Sequence, residues 1–396
     1  MKPIPFLLLF AAATAAHADQ PLSLSQALKT AQNRPNLVAA RLKVASAQQT
    51  GKALGTLPPL SVGAGLSSHP DLGATDEDLY LRQPLDLFGR SSSGRALGRI
   101  RQSKAEVEVK TLQLQVQTEV LTRFFEAASA EESAKVAGDV SILAEKVLAA
   151  TTRRFEEGRV PEIQVLRAKM ELDRARQQEK LLLAQEASAF MLLAAAIGID
   201  QTPTSLEAAE LSFAAPADLE SRPDLRLAQL DADEVRAEAK SAKSALMPDL
   251  DLYGLKSGWS STDTRFGARL QLTWNLWDSG RSRSEAKAFS LKEAALKAER
   301  EDLLIRAKAE VESLNLEIKA AEERLAAYRL LIDQAKVLVE KSQKGFNEGV
   351  GTLLEVLEST RSLREVEQES IAVRLRLKLL KAASLQATGT LLETKQ

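Results

Sequence analysis

Two acidic side chains near the end of the sequence have a type and a spacing that could do chemistry. Glu355 and Glu358 follow the turn in "KGFNEGVGTLLEVLES", residues 344–359, and residues three apart share one face of a helix. Carboxylates gathered on such a face repel each other and attract cations. Acids in the first turns of a helix are also favoured by the helix dipole, so a purely structural role stays open beside the cation-attracting one.

Other residue types that carry chemistry are scarce. The chain has 53 basic and 54 acidic residues, two histidines and no cysteine. Disulfides, thiolate metal sites and cysteine nucleophiles are therefore excluded. His69, in a predicted surface loop at 67–78, has no clustered partners for a metal site or a hydrolase triad. We expect no enzyme activity, with carboxylate-only catalysis as the alternative, no metal and no other cofactor, and the balanced charge predicts no nucleic-acid partner.

The first residues predict an exported protein. Lys2 precedes an apolar run at 4–16, and Ala16-His17-Ala18 forms an A-x-A cleavage site. This is the outline of a secretory signal peptide at 1–18. No later segment offers about 20 consecutive apolar residues, so we expect no membrane-spanning helix.

Several landmarks recur along the chain at a nearly constant offset. The pairs are Pro35 and Pro223 (223 − 35 = 188), Phe155 and Phe346 (346 − 155 = 191), and Gly198 and Gly389 (389 − 198 = 191). Such regularity predicts two tandem copies of a unit of roughly 190 residues. We place the first structural repeat at 19–201, a linker at 202–222 and the second repeat at 223–396.

The same offset compares the two acids with the first copy. The equivalent positions, 355 − 191 = 164 and 358 − 191 = 167, hold Gln164 and Arg167. The acidic pair therefore belongs to the second copy alone, which generic helix-start chemistry would not require.

Long stretches without glycine or proline predict the helices. Residues 281–344, 162–197 and 352–388 consist mostly of strong helix formers. A helix across 281–344 would be roughly 95 Å long at 1.5 Å per residue, too long for a compact globular domain. We therefore predict two long helical hairpins, at 90–198 and 280–389.

Alternating apolar and polar residues predict strands near 57–67, 78–88, 248–257 and 265–277. These runs have the length of tilted strands that cross a bilayer. The tryptophans Trp259, Trp274 and Trp277 lie in or just before the last run, where an interfacial aromatic belt would place them. The alternative is an ordinary antiparallel sheet with one solvent-exposed face, although no second layer remains to cover the apolar face.

Four strands cannot close a barrel, and lipid does not tolerate an open sheet edge. Membrane insertion would therefore require several chains: two would supply eight strands, and three would supply twelve with a channel.

Together these features resemble the TolC-type outer-membrane efflux family, over essentially the whole mature chain. The most specific motifs are "LSLSQALKTAQNRPNL", the junctions "QPLDLFGR" and "LTWNLWDSGR", and the two F-x-E-G turns. The resemblance implies a mainly α protomer with a membrane β-barrel portion. Three protomers would form a homotrimer with a 12-stranded β-barrel in outer-membrane lipid and an α-helical barrel in the periplasm. Such a channel works with a periplasmic adaptor protein and an inner-membrane pump.

The resemblance also implies roles for the two helical turns. In the family they form the closed periplasmic aperture and the adaptor docking site, which here involves Phe155, Gly158, Pro161, Phe346, Gly349 and Gly351. Glu355 and Glu358 match the acids that ring the pore, so they are the candidate gate residues. The family often has an aromatic hydroxyl and a basic residue where this chain has Phe346 and Gly351, so its closing network must be different or weaker.

Two alternatives stay open. A periplasmic coiled-coil adaptor also has a long helical hairpin, but typically one, with β-domains at its ends. "QPLDLFGR" is reminiscent of the branch that partners resistance-nodulation-division pumps, including heavy-metal exporters. In this family the pump, and not the channel lining, selects the cargo.

Cell fractionation without detergent tests these alternatives. We expect the protein in the outer membrane, as a trimer whose gel mobility changes on heating. Recovery as a soluble periplasmic protein would contradict the channel hypothesis and favour the adaptor-like one.

Overall fold

The chain is mainly helical, with four strands between its helices. The computed structural model describes residues 21–69, 74–210, 219–244, 247–257, 265–274 and 279–391. Its helices are α1 (Leu24–Ala31), α2 (Pro35–Leu54), α3 (Arg90–Glu156), α4 (Glu162–Ile197), α5 (Pro223–Ser244), α6 (Arg281–Glu348) and α7 (Leu353–Thr388). Its strands are β1 (Ser61–His69), β2 (Ala74–Leu85), β3 (Asp249–Ser257) and β4 (Arg265–Thr273), and a 3₁₀ turn spans Leu219–Ser221. After α1, the same order of elements occurs twice, which confirms the predicted tandem repeat.

The long helices follow from composition and end at glycine. Helices α3 and α6 contain 67 and 68 residues, and Gly138 lies inside α3 without ending it. Helices α4 and α7 stop at Gly198 and Gly389, whose φ angles of 84° and 69° are left-handed. Glycine adopts this conformation without a Cβ penalty. The predicted long helical hairpins are therefore confirmed as elements of the fold.

The chain divides into two compact units, each built from separate segments. The helical unit contains residues up to Arg34, Leu114–Pro216 and the residues from Glu310 onward, and the sheet unit contains Pro35–Gln113 and Ala217–Ala309. Buried aromatic and aliphatic side chains form the core of the helical unit, among them Leu121, Phe124, Phe125, Leu193 and Ile197.

Backbone pairing ties the start of the chain into the helical unit. Leu22 forms a parallel bridge with Leu206, and its N–H donates to the carbonyl of Ser205 at 3.0 Å. The guanidinium of Arg34 lies 2.6 Å from the carboxylate of Glu119 on α3. These contacts tie the two ends of α1 to α3 and to the segment around Ser205 and Leu206.

The strands form one antiparallel sheet in the order β1-β2-β3-β4. The central pairing joins the two repeats, because β2 precedes the first helical hairpin and β3 precedes the second; Leu85 lies opposite Leu250. Pairs on one face of the sheet are mostly apolar, such as Val62 with Leu81 and Leu252 with Leu270.

The two faces of the sheet differ in polarity and exposure. On the apolar face, side chains of β4 are open to the surroundings, and Phe266 is 80% exposed. On the other face, Asp251 is only 4% exposed and accepts a hydrogen bond from Arg82 at 2.9 Å. The guanidinium of Arg269 lies 4.9 Å from the ring centroid of Tyr253 on that same face. The sheet of one chain thus has an apolar face that the chain does not cover. On the opposite face, the polar side chains pair with one another.

Some strand boundaries differ from the predicted ones. Strand β1 begins later and runs to His69, which pairs with Ala74, the first residue of β2. The predicted loop at 67–78 is therefore wrong for most of its length, because backbone pairing extends the ladder through polar residues that lack an apolar alternation. Strand β4 ends at Thr273, and the next residue, Trp274, has an exposed side chain. The other two predicted interfacial tryptophans, Trp259 and Trp277, lie outside the described residues.

Helix α4 bears on the prediction that no helix crosses a membrane, which rested on the lack of an unbroken apolar run. By length and composition it is the helix of the described ranges that is apolar enough to do so. The sequence argument required an unbroken apolar run, whereas α4 reaches the same average with a few polar residues interspersed. Leu193 and Ile197 are buried in the helical unit, while Met191 and Leu192 are exposed. Helix α4 therefore carries an apolar surface that the chain itself does not cover.

The junction between β2 and α3 is held by one carboxylate. Asp86 accepts hydrogen bonds from the backbone N–H groups of Arg90 and Ser91, at 2.7 and 2.8 Å. Gly89, with φ at 76°, turns the chain between them. Hydrogen bonding to the Ser91 side chain, and then to nearby backbone N–H groups, lowers the pKa of Asp86 below its ordinary 3.8 despite the opposing effect of burial.

We predict that Asp86→Ala lowers the stability of the purified protein by about 1 kcal/mol near neutral pH, because two N–H groups at the helix start lose their acceptor. A depressed carboxyl pKa stabilises the fold above pH 3.8, and this contribution disappears as the pH falls through the folded-state pKa. Thermal unfolding in detergent at several pH values would show the difference between parent and variant narrowing in acid.

Asp86→Asn is the matched control, because it keeps an oxygen acceptor and removes the charge. It should lie between the parent and Asp86→Ala near neutral pH. A difference between the parent and Asp86→Ala that does not change with pH would contradict this account of the junction.

Candidate functional site: the paired helical turns

The first turn, residues 157–161, joins α3 to α4. The N–H of Gly158 donates to the carbonyl of Phe155 at 2.9 Å, and the N–H of Arg159 donates to the carbonyl of Arg154 at 2.9 Å. Gly158 has a left-handed φ of 72°. Pro161 is extended, with φ at −78° and ψ at 155°, and immediately precedes α4. A proline there needs no hydrogen-bond acceptor for its nitrogen, so it marks the start of the returning helix.

The second turn, residues 349–352, joins α6 to α7 more tightly. The N–H groups of Val350 and Gly351 both donate to the carbonyl of Gly345, at 3.1 and 2.9 Å. Gly349 has a φ of 86°. A Cβ on Gly351 would lie 2.9 Å from the backbone carbon of Gly345 and 2.9 Å from the nitrogen of Phe346. The turn in this conformation therefore has no room for a side chain at position 351.

Glu355 has a structural role at the start of α7. Its carboxylate accepts the N–H of Thr352 at 3.0 Å, and its own N–H donates to the hydroxyl of Thr352 at 3.3 Å. This reciprocal capping box satisfies two backbone donors that the helix leaves unpaired. The side chain stays exposed, so capping and attraction of cations can coexist.

Glu358 lies one helical turn further along the same face. Its side chain is exposed, and within the described ranges of the chain it has neither an ion pair nor a hydrogen bond. The two acids therefore differ in a way that the sequence pattern did not indicate. Glu355 caps the start of α7, whereas Glu358 takes no part in capping.

The two hairpins pack together behind the turns. A buried cluster joins Val147 of α3, Ala168 of α4, Phe346 of α6, and Leu353 and Val356 of α7. Each helix of the two hairpins contributes a side chain to it. Burial of this kind is the main stabilising contribution where the turns themselves offer few contacts.

The duplicated phenylalanines have different environments. Phe346 is 3% exposed, and Phe155 is 42% exposed. Both were predicted as turn residues, but Phe346 belongs to the buried cluster that joins the hairpins. Phe155 is instead exposed, and so are four other large apolar residues that lie in or beside the turns along the chain: Ile163, Leu166, Val350 and Leu354. We call these five residues the exposed apolar group at the turns.

Arg154 is the residue that the sequence analysis missed. Its guanidinium carbon lies 4.2 Å from the ring centroid of Phe346, and its Nη2 donates to the carbonyl of Asn347 at 3.1 Å. A basic residue in the last turn of a helix is common, since it complements the helix dipole. Its sequence context therefore carried no signal that it contacts the other hairpin.

The described ranges contain no group of three or more histidine, cysteine, aspartate or glutamate side chains placed to hold a metal ion. The polar contacts at the turns are instead helix caps and links between helices. Ser342 and Ser359, on α6 and α7, lie with their hydroxyl oxygens 2.7 Å apart.

A family model described as "Outer membrane efflux protein" matches residues 25–199 and again 216–390. The second match begins 216 − 25 = 191 residues after the first, which equals the offset between the two phenylalanines. Among curated proteins, the chain is similar to the pyoverdine export outer membrane protein OpmQ of Pseudomonas aeruginosa, with 26% identity over 287 residues. That alignment covers 68% of this chain and 60% of the relative, so it spans less than two thirds of OpmQ.

Solved structures with a similar fold include CusC, with a TM-score of 0.79 and 16% identity over 92% of this chain and 91% of that one. VceC of Vibrio cholerae has a TM-score of 0.76 and 17% identity, covering 92% and 96% of the two chains. The open state of the MtrE outer membrane channel of Neisseria gonorrhoeae has a TM-score of 0.77 and 19% identity, covering 92% and 88%. At these identities the likeness concerns the fold.

The close approach at position 351 leads to a test with a matched control. Gly351→Ala should destabilise the second turn by about 1–3 kcal/mol, because its Cβ would meet backbone that has no room to yield. Gly345→Ala should be neutral or slightly stabilising, because its Cβ would make only ordinary contacts, from 3.8 Å outward, within a helix that favours alanine. Limited proteolysis and thermal unfolding would measure both, and equal behaviour of the two variants would contradict the described turn.

Proposed function

Because the chain belongs to the outer membrane efflux protein family, we propose that it is the outer-membrane channel of a tripartite export system. In this proposal a homotrimer conducts substrates from an inner-membrane pump and a periplasmic adaptor to the outside. The observation that carries this proposal is the family match over both repeats. The two long helical hairpins and the four-stranded sheet agree with it. The outer membrane is the location that this family assignment gives.

The sheet supports the trimeric arrangement through its faces and edges. Its apolar face is exposed in one chain, as a surface in contact with lipid would be. Strands β1 and β4 are the two edges of the sheet, and an edge in lipid leaves backbone groups without partners. Pairing β4 of one chain with β1 of the next would close twelve strands from three chains, with the polar face and its Arg82–Asp251 pair inside.

The helices support the same arrangement through the apolar side chains that one chain leaves uncovered. Exposed large apolar residues recur along α6, among them Leu291, Ile305, Leu316 and Leu330. Helix α4 adds Met191 and Leu192. A helix with apolar side chains on two sides needs neighbours on both, as the wall of a helical barrel provides.

At the periplasmic end, the exposed apolar group at the turns is the surface that we assign to the adaptor. It includes Phe155 and Val350, the second of which is 83% exposed. Gly158, Pro161, Gly349 and Gly351 shape the turns that present it. The same end would place Glu355 and Glu358 toward the pore axis, where threefold symmetry gathers two rings of three carboxylates.

The acidic rings make a prediction for ion conduction. The double variant, Glu355→Gln combined with Glu358→Gln, should weaken block of the pore by divalent cations and change the conductance in planar bilayers. The reason is that negative charges gathered in a narrow bore attract cations. Glutamine keeps an oxygen at position 355 for Thr352, so the capping box is retained while the charge is lost.

Glu355→Ala separates the two roles of this residue. It removes both the charge and the cap, and should in addition destabilise the second turn by about 1 kcal/mol. If the double glutamine variant shows the conductance and cation block of the parent channel, then neither acid takes part in the gate. The single variants Glu355→Gln and Glu358→Gln would show which ring contributes more.

A further inference from the structure

The polar face of the sheet carries an arginine that has no acidic partner among the residues that the structure describes. Arg269 of β4 lies opposite Tyr253 of β3, and its guanidinium carbon lies 4.9 Å from the ring centroid of that tyrosine. The side chain of Arg269 is exposed, and in the described part of the chain it has neither an ion pair nor a hydrogen bond. Its N–H donors are therefore open to a ligand, while the guanidinium also contacts an aromatic ring.

The two carboxylates of β3 on this face are already engaged. Asp251 accepts a hydrogen bond from Arg82 at 2.9 Å, and only 6% of its side chain is exposed. Asp249 forms an ion pair with Arg90. Strand β4 itself contains no acidic residue. The positive charge of Arg269 is therefore compensated neither from β3 nor from its own strand.

The acidic residues of β2 lie further along the ladder. Arg82 pairs with Tyr253, whereas Asp78 pairs with Ser257. These two rows are 82 − 78 = 4 positions apart, or about 13 Å at 3.3 Å per residue. That distance exceeds the screening length of about 8 Å at physiological ionic strength. Strand β1 contains no acidic residue, so a neighbouring chain that pairs its β1 with β4 would bring no acid to Arg269.

Two tyrosines form an aromatic surface beside this arginine. The ring centroids of Tyr80 and Tyr253 lie 6.0 Å apart, and the ring planes are inclined by 55°. Both side chains are half-buried. A Cβ on Gly63 would lie 2.2 Å from the ring of Tyr80, so this ring lies close to the backbone of β1 because position 63 has no side chain. Two rings and one guanidinium thus follow one another across β2, β3 and β4.

The arrangement matches the chemistry of a planar aromatic ring that carries a carboxylate. A guanidinium binds a carboxylate through two parallel hydrogen bonds. The ring of such a ligand can pack against a tyrosine in an offset or edge-to-face geometry. A cationic ligand would be repelled by Arg269, and an apolar one would leave its N–H donors without an acceptor.

We propose that Tyr80, Tyr253 and Arg269 form a binding site for aromatic carboxylates on the polar face of the sheet. All three residues belong to one chain, so the site is complete in each protomer. Its location in the export path rests on the proposed channel function, because the polar face becomes the lumen only when the barrel closes. Three copies of the site would then line the bore, and aromatic anions would bind there in transit.

Binding of benzoate to the purified full-length protein in detergent tests the site without relying on conduction. Saturation-transfer-difference NMR at physiological ionic strength gives a dissociation constant, after subtraction of the signal from protein-free micelles. Two probes separate the contributions of charge and ring. Cyclohexanecarboxylate keeps the charge and lacks the aromatic ring, whereas benzyl alcohol keeps the ring and lacks the charge. Both should bind more weakly than benzoate.

Arg269→Gln should weaken benzoate binding about tenfold, which is the effect of losing one charge-assisted contact of ordinary strength. Arg269→Lys should lie between the parent and Arg269→Gln, because it keeps the charge and loses the planar pair of donors. Lys256→Gln is the matched control. It removes a positive charge from the opposite face of the same sheet, where the ammonium lies 5.9 Å from the ring centroid of Phe266, and should leave benzoate binding unchanged.

Thermal unfolding of every variant confirms that folded protein is compared. The site is overturned if Arg269→Gln binds benzoate as the parent does, if Lys256→Gln weakens binding equally, or if benzoate binds no better than cyclohexanecarboxylate. In planar bilayers, benzoate should reduce the current of the parent channel more than that of Arg269→Gln. A parent protein that never conducts would instead contradict the channel function, and the binding comparison would still decide whether the site exists.

Discussion

The structure depends on apolar surface that a single chain cannot bury. Helices of 67 and 68 residues run through both compact units, and they leave large aliphatic side chains exposed along much of α6. The four-stranded sheet has the same property, because its apolar face has no covering layer among the described residues. Burial of apolar area is the dominant favourable contribution to folding, so the protein gains its full stabilisation only when other surfaces cover these residues. In the proposed trimer, assembly would then be a part of folding and not an addition to it.

Much of the fold could be predicted because it rests on signals that act locally. Glycine marks the helix ends at Gly198 and Gly389, and the long stretches of helix formers mark α3 and α6. The nearly constant offset between paired landmarks, 191 residues for Phe155 and Phe346, located the repeat. The exact strand ends could not be predicted, since β1 and β2 continue through Ser67 and Asp76, which pair through the backbone. The apolar content of α4 was also underestimated by a count of unbroken apolar residues.

The candidate site was predictable only in part. The sequence located the turns and the two acids, but not the difference between Glu355, which caps α7, and Glu358, which has no partner in the described part of the chain. It also could not distinguish Phe155 from Phe346, because burial depends on the packing of four helices and not on the neighbouring residues. Arg154 contacts Phe346, which lies 346 − 154 = 192 positions further along the chain. No spacing rule of secondary structure connects residues so far apart. Contacts between distant segments become visible only when the helices are placed in space.

The pairing of β2 with β3 has a consequence for the origin of the chain. This central ladder joins one repeat to the other within a single sheet, much as β4 and β1 would join neighbouring chains in the proposed trimer. In that trimer each repeat would behave as a subunit of its own, and the ring of three chains would have the local geometry of a ring of six half-length ones. An ancestral gene half as long could have assembled such a hexamer. Fusion of two copies would then have freed each half to diverge, so that one hairpin could acquire an arginine and the other a pair of acids.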